Sequence, residues 1–143
     1  VGEQNIIRVA AVIILDREHR VLTVRKQGTD RFMQPGGKPE PGESAQQTAV
    51  REVAEEIGLQ LRPEQLVDMG TFRAAAANEQ NTVVVCQNFM VEYDDAAQEI
   101  LGALEPAAEI AELRWMPLES LQPAENLAPL LTEQVAPAVR NVL

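Results

Sequence analysis

The sequence predicts a mixed α/β domain. Three observations carry this: short β-branched apolar runs between turn residues, one helix with signals at both ends, and a carboxyl-terminal stretch with helical spacing. Ile6 to Leu15 reads as a strand, and Val21 to Arg25 as its hairpin partner across the polar turn Asp16-Arg17-Glu18-His19-Arg20. Gly28-Thr29-Asp30 breaks the chain, and Gln34-Pro35-Gly36-Gly37 predicts a tight loop. Lys38-Pro39-Glu40-Pro41-Gly42 is stiff, polar and hostile to a helix. Ser44 is a good N-cap, with Gln47 completing a capping box, and Gly58 is placed to end the helix in a left-handed conformation. Leu66 to Phe72 and Thr82 to Val91 read as further strands, with Arg73 to Asn81 as a loop or short turn. Asp94 to Ala108 reads as an acidic connection and Leu113 to Met116 as a short strand. Asn126 to Leu143 has helical spacing through Leu127, Leu130, Leu131, Val135, Val139 and Val142. Pro129 suits its first turn, and Pro137 should kink or divide it. Residues 1–143 are expected to form one domain, long enough for a core.

Composition excludes several classes. No apolar run approaches the roughly 20 residues of a membrane span. No basic stretch followed by an apolar one opens the chain, which points to the cytoplasm. A formal charge of −10 speaks against general affinity for nucleic-acid backbones. It leaves a phosphate substrate open, because a cation held by carboxylates reverses the local sign. Cys86 is the single cysteine, so an internal disulfide is ruled out. It lies in the apolar run Thr82 to Cys86 and reads as a core residue. His19, the single histidine, reads as a solvated turn residue.

The helix over residues 45–57 carries the chemistry. At about 100° per residue, Glu52, Glu55 and Glu56 fall on one face, with Val50, Val53, Ala54 and Ile57 opposite. Like charges at i,i+4 destabilise a helix by about 0.2–0.5 kcal/mol per pair, so such a face implies a cation. Oxygen donors suit Mg²⁺ or Mn²⁺. The acids should face the Pro35–Glu43 loop.

Gly37, Glu43, Arg51, Glu52, the aliphatic Val53, Glu55, Glu56, Gly58 and the aliphatic Leu59 stand at the spacing of the Nudix hydrolase signature, with no substitution. The chain resembles that family. The resemblance implies the Nudix fold, a mixed β-sheet between helices, and a reaction in which water splits a pyrophosphate linkage of a nucleoside diphosphate derivative with Mg²⁺ or Mn²⁺. It implies Glu55 and Glu56 as principal metal ligands, and Glu52 as a metal-linked residue and frequent general base. Arg51 would hold Glu52, Glu43 would be a weaker ligand, and the Gly36 carbonyl a further one. Some members take an extra ligand or base from the loop before a strand bearing Trp, here Trp115, and spacing favours Glu109 over Glu112. Lys38, Arg25, Lys26, Arg31 and Arg73 are candidates to meet phosphates. Phe32 would stack on a base or pack. Many relatives are dimers, which leaves a homodimer open.

The signature fixes the reaction class and not the leaving moiety. Ala74 stands where sugar-nucleotide members tend to carry proline, and Ala76 and Ala77 where dinucleoside-polyphosphate members tend to carry tyrosine. By elimination the chain resembles the branch cutting a (deoxy)nucleoside triphosphate to monophosphate plus pyrophosphate, with nucleoside diphosphate sugars as the alternative. A non-turning-over nucleotide sensor would be expected to lack signature acids, and all are present. The acidic balance speaks against a messenger-RNA decapping enzyme.

Overall fold

A computed structural model of the chain describes residues 4–77, 79–93 and 97–143. Its strands are β1 (Asn5–Leu15), β2 (Arg20–Lys26), β3 (Gly36–Gly37), β4 (Val67–Ala75), β5 (Thr82–Glu92) and β6 (Ile110–Pro117). The helices are α1 (Ala45–Ile57), the short α2 (Gln98–Gly102) and α3 (Ala136–Val142), which follows a π-helical segment at Leu130–Val135. The strands run in the order β4-β5-β1-β2-β6. β5 lies parallel to β1, in register from Asn5–Thr82 to Leu15–Glu92, and the other pairs are antiparallel.

Side-chain alternation along β1 builds a core on each face of the sheet. Ala10, Val12 and Ile14 meet Val53 and Ile57 of α1, with Phe89 and Val91 of β5. Ile13 and Leu15 meet Leu131, Val135 and Val139 of the carboxyl-terminal segment, with Met90. The sheet therefore lies between α1 and that segment. Full burial of side chains such as Val53 or Ile57 is worth about 1.5–3 kcal/mol each.

The site depends on a fork in the sheet. β1 and β2 pair at Leu15 and Val21, beside their turn, and then diverge. The chain from Met33 to Gly37 fills the wedge. Met33 pairs with Val24 of β2, the Pro35 carbonyl accepts from the Val12 amide at 3.0 Å, and Gly36 and Gly37 pair with Ala11 and Ala10. A Cβ at Gly36 would collide with the Ala10 carbonyl and lie 2.6 Å from Ala11 Cα, which is backbone and cannot turn aside.

The ends of α1 follow its sequence signals. Ser44 and Gln47 close the capping box, and Gly58 caps the carboxyl end at φ 75°. The buried stripe is Ala49, Val53 and Ile57, with Val50 and Ala54 half-buried beside it. Pro137 does not break the terminal helix: the backbone stays helical through Val135 and Ala136, and the bonding changes there from the π-helical turns ending at Val135 to α3 beginning at Ala136. Lacking an N–H, Pro137 cannot continue the bonding pattern of the preceding turns.

Three further expectations need correction. β4 extends to Ala75, so Arg73 lies on a strand rather than in a loop. β6 begins at Ile110, ahead of the short strand expected at Leu113. The acidic connection contains α2, although Asp94 to Ala96 and Asn78 lie outside the described residues.

Alanine at the two glycines separates crowding from backbone conformation. Gly58→Ala should cost about 1 kcal/mol, the price of a left-handed Cβ in open space. Gly36→Ala should cost clearly more, because a backbone must move. Urea midpoints of the two variants measure the difference, and equal losses would contradict the close approach.

Candidate active site

Arg51 organises the acids of α1. Its Nε and Nη2 grip Glu43, at 2.7 Å to Oε2 and 3.0 Å to Oε1. Its Nη1 donates to Glu52 at 2.8 Å and to Glu55 at 3.3 Å, and Nη2 also reaches the Lys38 carbonyl at 3.0 Å. A planar guanidinium suits such a forked role better than an ammonium does. Glu43 also accepts from Thr48 Oγ1 and the Glu40 amide. With Arg51 as the main cause, its carboxyl is held down at about 2. In this arrangement Glu43 fixes Arg51.

Glu56 departs from the expected exposed face. It is 2% exposed, and its Oε1 accepts from the Gly36 amide at 2.9 Å. Burial pushes its pKa up to about 8, against the lowering effect of that hydrogen bond. Glu52 is raised too, burial being the largest cause, with Arg51 opposing and Glu55 and Glu109 adding to it. The Glu52 carboxylate lies against Gly37, where a Cβ would be 2.6 Å from its Oε1. Glu55 is half-exposed on the outer side.

Among the described residues no three acids, cysteines or histidines are already arranged around a cation. Arg51 takes up Glu43, Glu52 and Glu55, and Glu56 turns to Gly36. The chemistry nevertheless fits one. Glu52 and Glu56 are partly desolvated neighbours, Glu52 disfavouring charge on Glu56, and the donors are all oxygen. A hard divalent cation relieves that repulsion. Glu52, Glu56, the outer Glu55 and the Gly36 carbonyl are the groups that would hold it.

A cleft of about 610 Å³ opens through the wedge between β1 and β2. Ile7, Val9 and Ala11 of β1 and Val84 and Cys86 of β5 give it an apolar floor. The carboxylate lip carries Gly36, Gly37, Lys38, Arg51 and Glu52, while Lys26 and Glu109 lie on the other side. Lys26 Nζ is 3.4 Å from Glu109 Oε1. Glu112 instead pairs with Arg25 and Arg114, so geometry favours Glu109 of the two loop acids.

The remaining candidates separate. Lys38 is exposed on the lip. Arg25 is turned to Glu112 and to the Thr29 carbonyl at 2.9 Å, and Arg31 to the Glu125 carbonyl at 3.2 Å; neither lines the cleft. Arg73 pairs with Val85, which alternates with the cleft residues Val84 and Cys86, so it projects from the opposite face of the sheet. Phe32 is 3% exposed in the core, with Arg114 over its ring at 4.3 Å, which removes it as a stacking platform. Trp115 packs against the core beneath α1. Cys86 is buried, with its thiol pushed up to about 12 by burial, and so is no nucleophile. His19 is exposed at φ 58° in the hairpin turn.

Two residues escaped the sequence reading, Gln34, which lines the cleft, and the buried Asn88 bonded to it. The available signal was an Asn within the β-branched run of β5, where that residue type is depleted.

Comparison with known proteins assigns the class. The NUDIX domain model matches residues 5–137, and the chain belongs to the Nudix family. It is similar to a Bacillus subtilis (strain 168) protein provisionally named 8-oxo-dGTP diphosphatase, 43% identical over 49 residues. That stretch is 34% of this chain and 33% of the relative, so the match spans about a third of the relative's own length. Among solved structures it is similar to a MutT protein from Methanosarcina mazei Go1, with a TM-score of 0.77, 21% identity and 99% of both chains covered. It is also similar to an Ap4A hydrolase from C. elegans, at a TM-score of 0.69 and 16% identity over 95% of this chain and 94% of that one. At these identities the two structures share the fold, a mixed sheet between helices.

Two ionisations give a metal-free pH profile. Glu56 binds its proton more tightly folded than unfolded, so stability should fall as pH rises from its ordinary 4.5 toward about 8. Glu43 does the opposite: its contribution is present above 4.5 and is lost as pH falls through about 2. Urea midpoints taken with a chelator should show both limbs, and saturating Mg²⁺ or Glu56→Gln should flatten the upper one. A flat upper limb in the chelated wild type would contradict the buried carboxyl. Arg51→Lys should move the Glu43 carboxyl up from about 2 in a ¹³C titration, because an ammonium cannot reproduce the fork.

Proposed function

We propose that this protein hydrolyses a (deoxy)nucleoside triphosphate to the monophosphate and pyrophosphate, with Mg²⁺ or Mn²⁺. The observation that carries the reading is one continuous cleft, apolar along β1 and β5 and acidic along α1. An apolar floor suits a flat base. The acidic lip suits phosphates once a cation is bound there. The absent subfamily marks at Ala74, Ala76 and Ala77 and the local likeness to the B. subtilis protein support a triphosphate over a conjugate.

When bound, the cation supplies positive charge against the phosphates and acidifies water. The chain's own groups do the rest. Arg51 holds Glu52 in place, and Glu52 and Glu109 are the acids able to take a proton from the attacking water. Lys38 and Lys26 are the cleft cations positioned to meet phosphate oxygens. We place the protein in the cytoplasm; among its described residues no helix is long and apolar enough to cross a membrane.

A product assay with Mg²⁺ tests the reading. Monophosphate and pyrophosphate from a triphosphate support it; turnover confined to nucleoside diphosphate sugars, giving sugar phosphate, overturns it. Glu56→Gln should cut kcat/KM by about a hundredfold or more. Its fold should survive, because the amide oxygen can still accept from Gly36 and no buried carboxyl is left to ionise. Activity near wild type would remove Glu56 from the site.

A further inference from the structure

The cleft floor has one polar break. Gln34 lines the cleft and is 5% exposed. Its Nε2 donates to Asn88 Oδ1 at 2.5 Å. Asn88 is fully buried, and its Nδ2 donates to the Cys86 carbonyl at 3.3 Å. That sequence of donors fixes both carboxamides. The Cys86 carbonyl can only accept, so Asn88 must turn its amide nitrogen there and its oxygen to Gln34. Gln34 is left with Oε1 as a buried acceptor, and this atom has no partner among the described residues.

A structural strut between the wedge loop and β5 accounts for the Nε2 bond but not for Oε1. Leaving an acceptor buried and unpaired is costly, and native structures rarely do so without a reason. The neighbouring cleft residues Val9, Ala11, Met33 and Cys86 offer no side-chain donor beyond the weak Cys86 thiol, which donates elsewhere, to the Gln87 carbonyl.

We propose that Gln34 reads the base of the substrate, its Oε1, buried just below the cleft surface, meeting an exocyclic amine once the side chain shifts toward the bound base. Asn88 is a positioning residue that holds this carboxamide. The proposal rests on the reading that the substrate is a nucleotide, and it adds a selection: adenine, guanine and cytosine carry such an amine, and unsubstituted purine and pyrimidin-2-one do not. A site built to accept from a substrate group discriminates strongly against analogues lacking it, because its own buried atom is then left unpaired.

The test is kcat/KM with Mg²⁺ for nucleoside triphosphates of adenine and guanine against unsubstituted purine, and of cytosine against pyrimidin-2-one. Wild type should favour the amine-bearing member of at least one pair by about tenfold or more. Gln34→Met, of similar length without the amide, should shrink that gap to within about threefold. Equal rates within every pair for wild type overturn the proposal, and this arm needs no variant to fold. A gap that Gln34→Met leaves intact also overturns it. Turnover of nucleoside diphosphate conjugates instead of triphosphates defeats the reading of the reaction, and the same paired bases on those conjugates then decide the role of Gln34.

Discussion

The close approach of the Gly36–Gly37 backbone to α1 is the constraint on which the rest of the site depends. At Gly36 only glycine permits it, because a Cβ there would enter the backbone of β1; at Gly37 a Cβ would displace the Glu52 carboxylate. The approach has two consequences. It brings the Gly36 amide to Glu56, which buries that carboxylate, and it closes the lip of the cleft over Glu52. Two acids are thereby lifted above their ordinary pKa in the absence of a cation. The glycines make room, burial raises the cost of negative charge, and a divalent cation is the group that lowers it.

Arg51 complements this arrangement. It occupies the outer side of the acid cluster and leaves Glu56 outside its reach, tied to the loop. Glu43, seemingly one more acid of the set, serves as its anchor. The cluster therefore divides into acids compensated by a guanidinium and an acid compensated by little more than one backbone amide. Cation binding would concern chiefly the second kind, with Glu52 shared between the two.

Much of this was legible in the sequence because it is local. The capping box at Ser44, the left-handed Gly58 and the common face of Glu52, Glu55 and Glu56 all follow from helix geometry within one element. What failed depends on what covers a face. Helical spacing put Glu56 with the exposed acids, but a loop twenty residues earlier in the chain lies over it. Arg73 was misplaced because the end of a strand and its outward face are fixed by the partner β5. Phe32 went to the core because Leu127 and its neighbours fold back over it, a contact no local pattern encodes. The parallel pairing of β1 with β5, which builds the cleft floor, is long-range in the same sense.

The central claim is that the buried Glu56 and its neighbour Glu52, under the Gly36–Gly37 loop, form the cation site. Mn²⁺ titrated into ¹⁵N-labelled protein tests this directly, since the ion broadens the amide signals nearest to it. The account predicts that the amides of Gly36, Gly37, Glu52 and Glu56 broaden first and together. Broadening that begins instead at the pocket beside Asp16 and Glu92, with the Gly36–Gly37 signals unchanged, would contradict it.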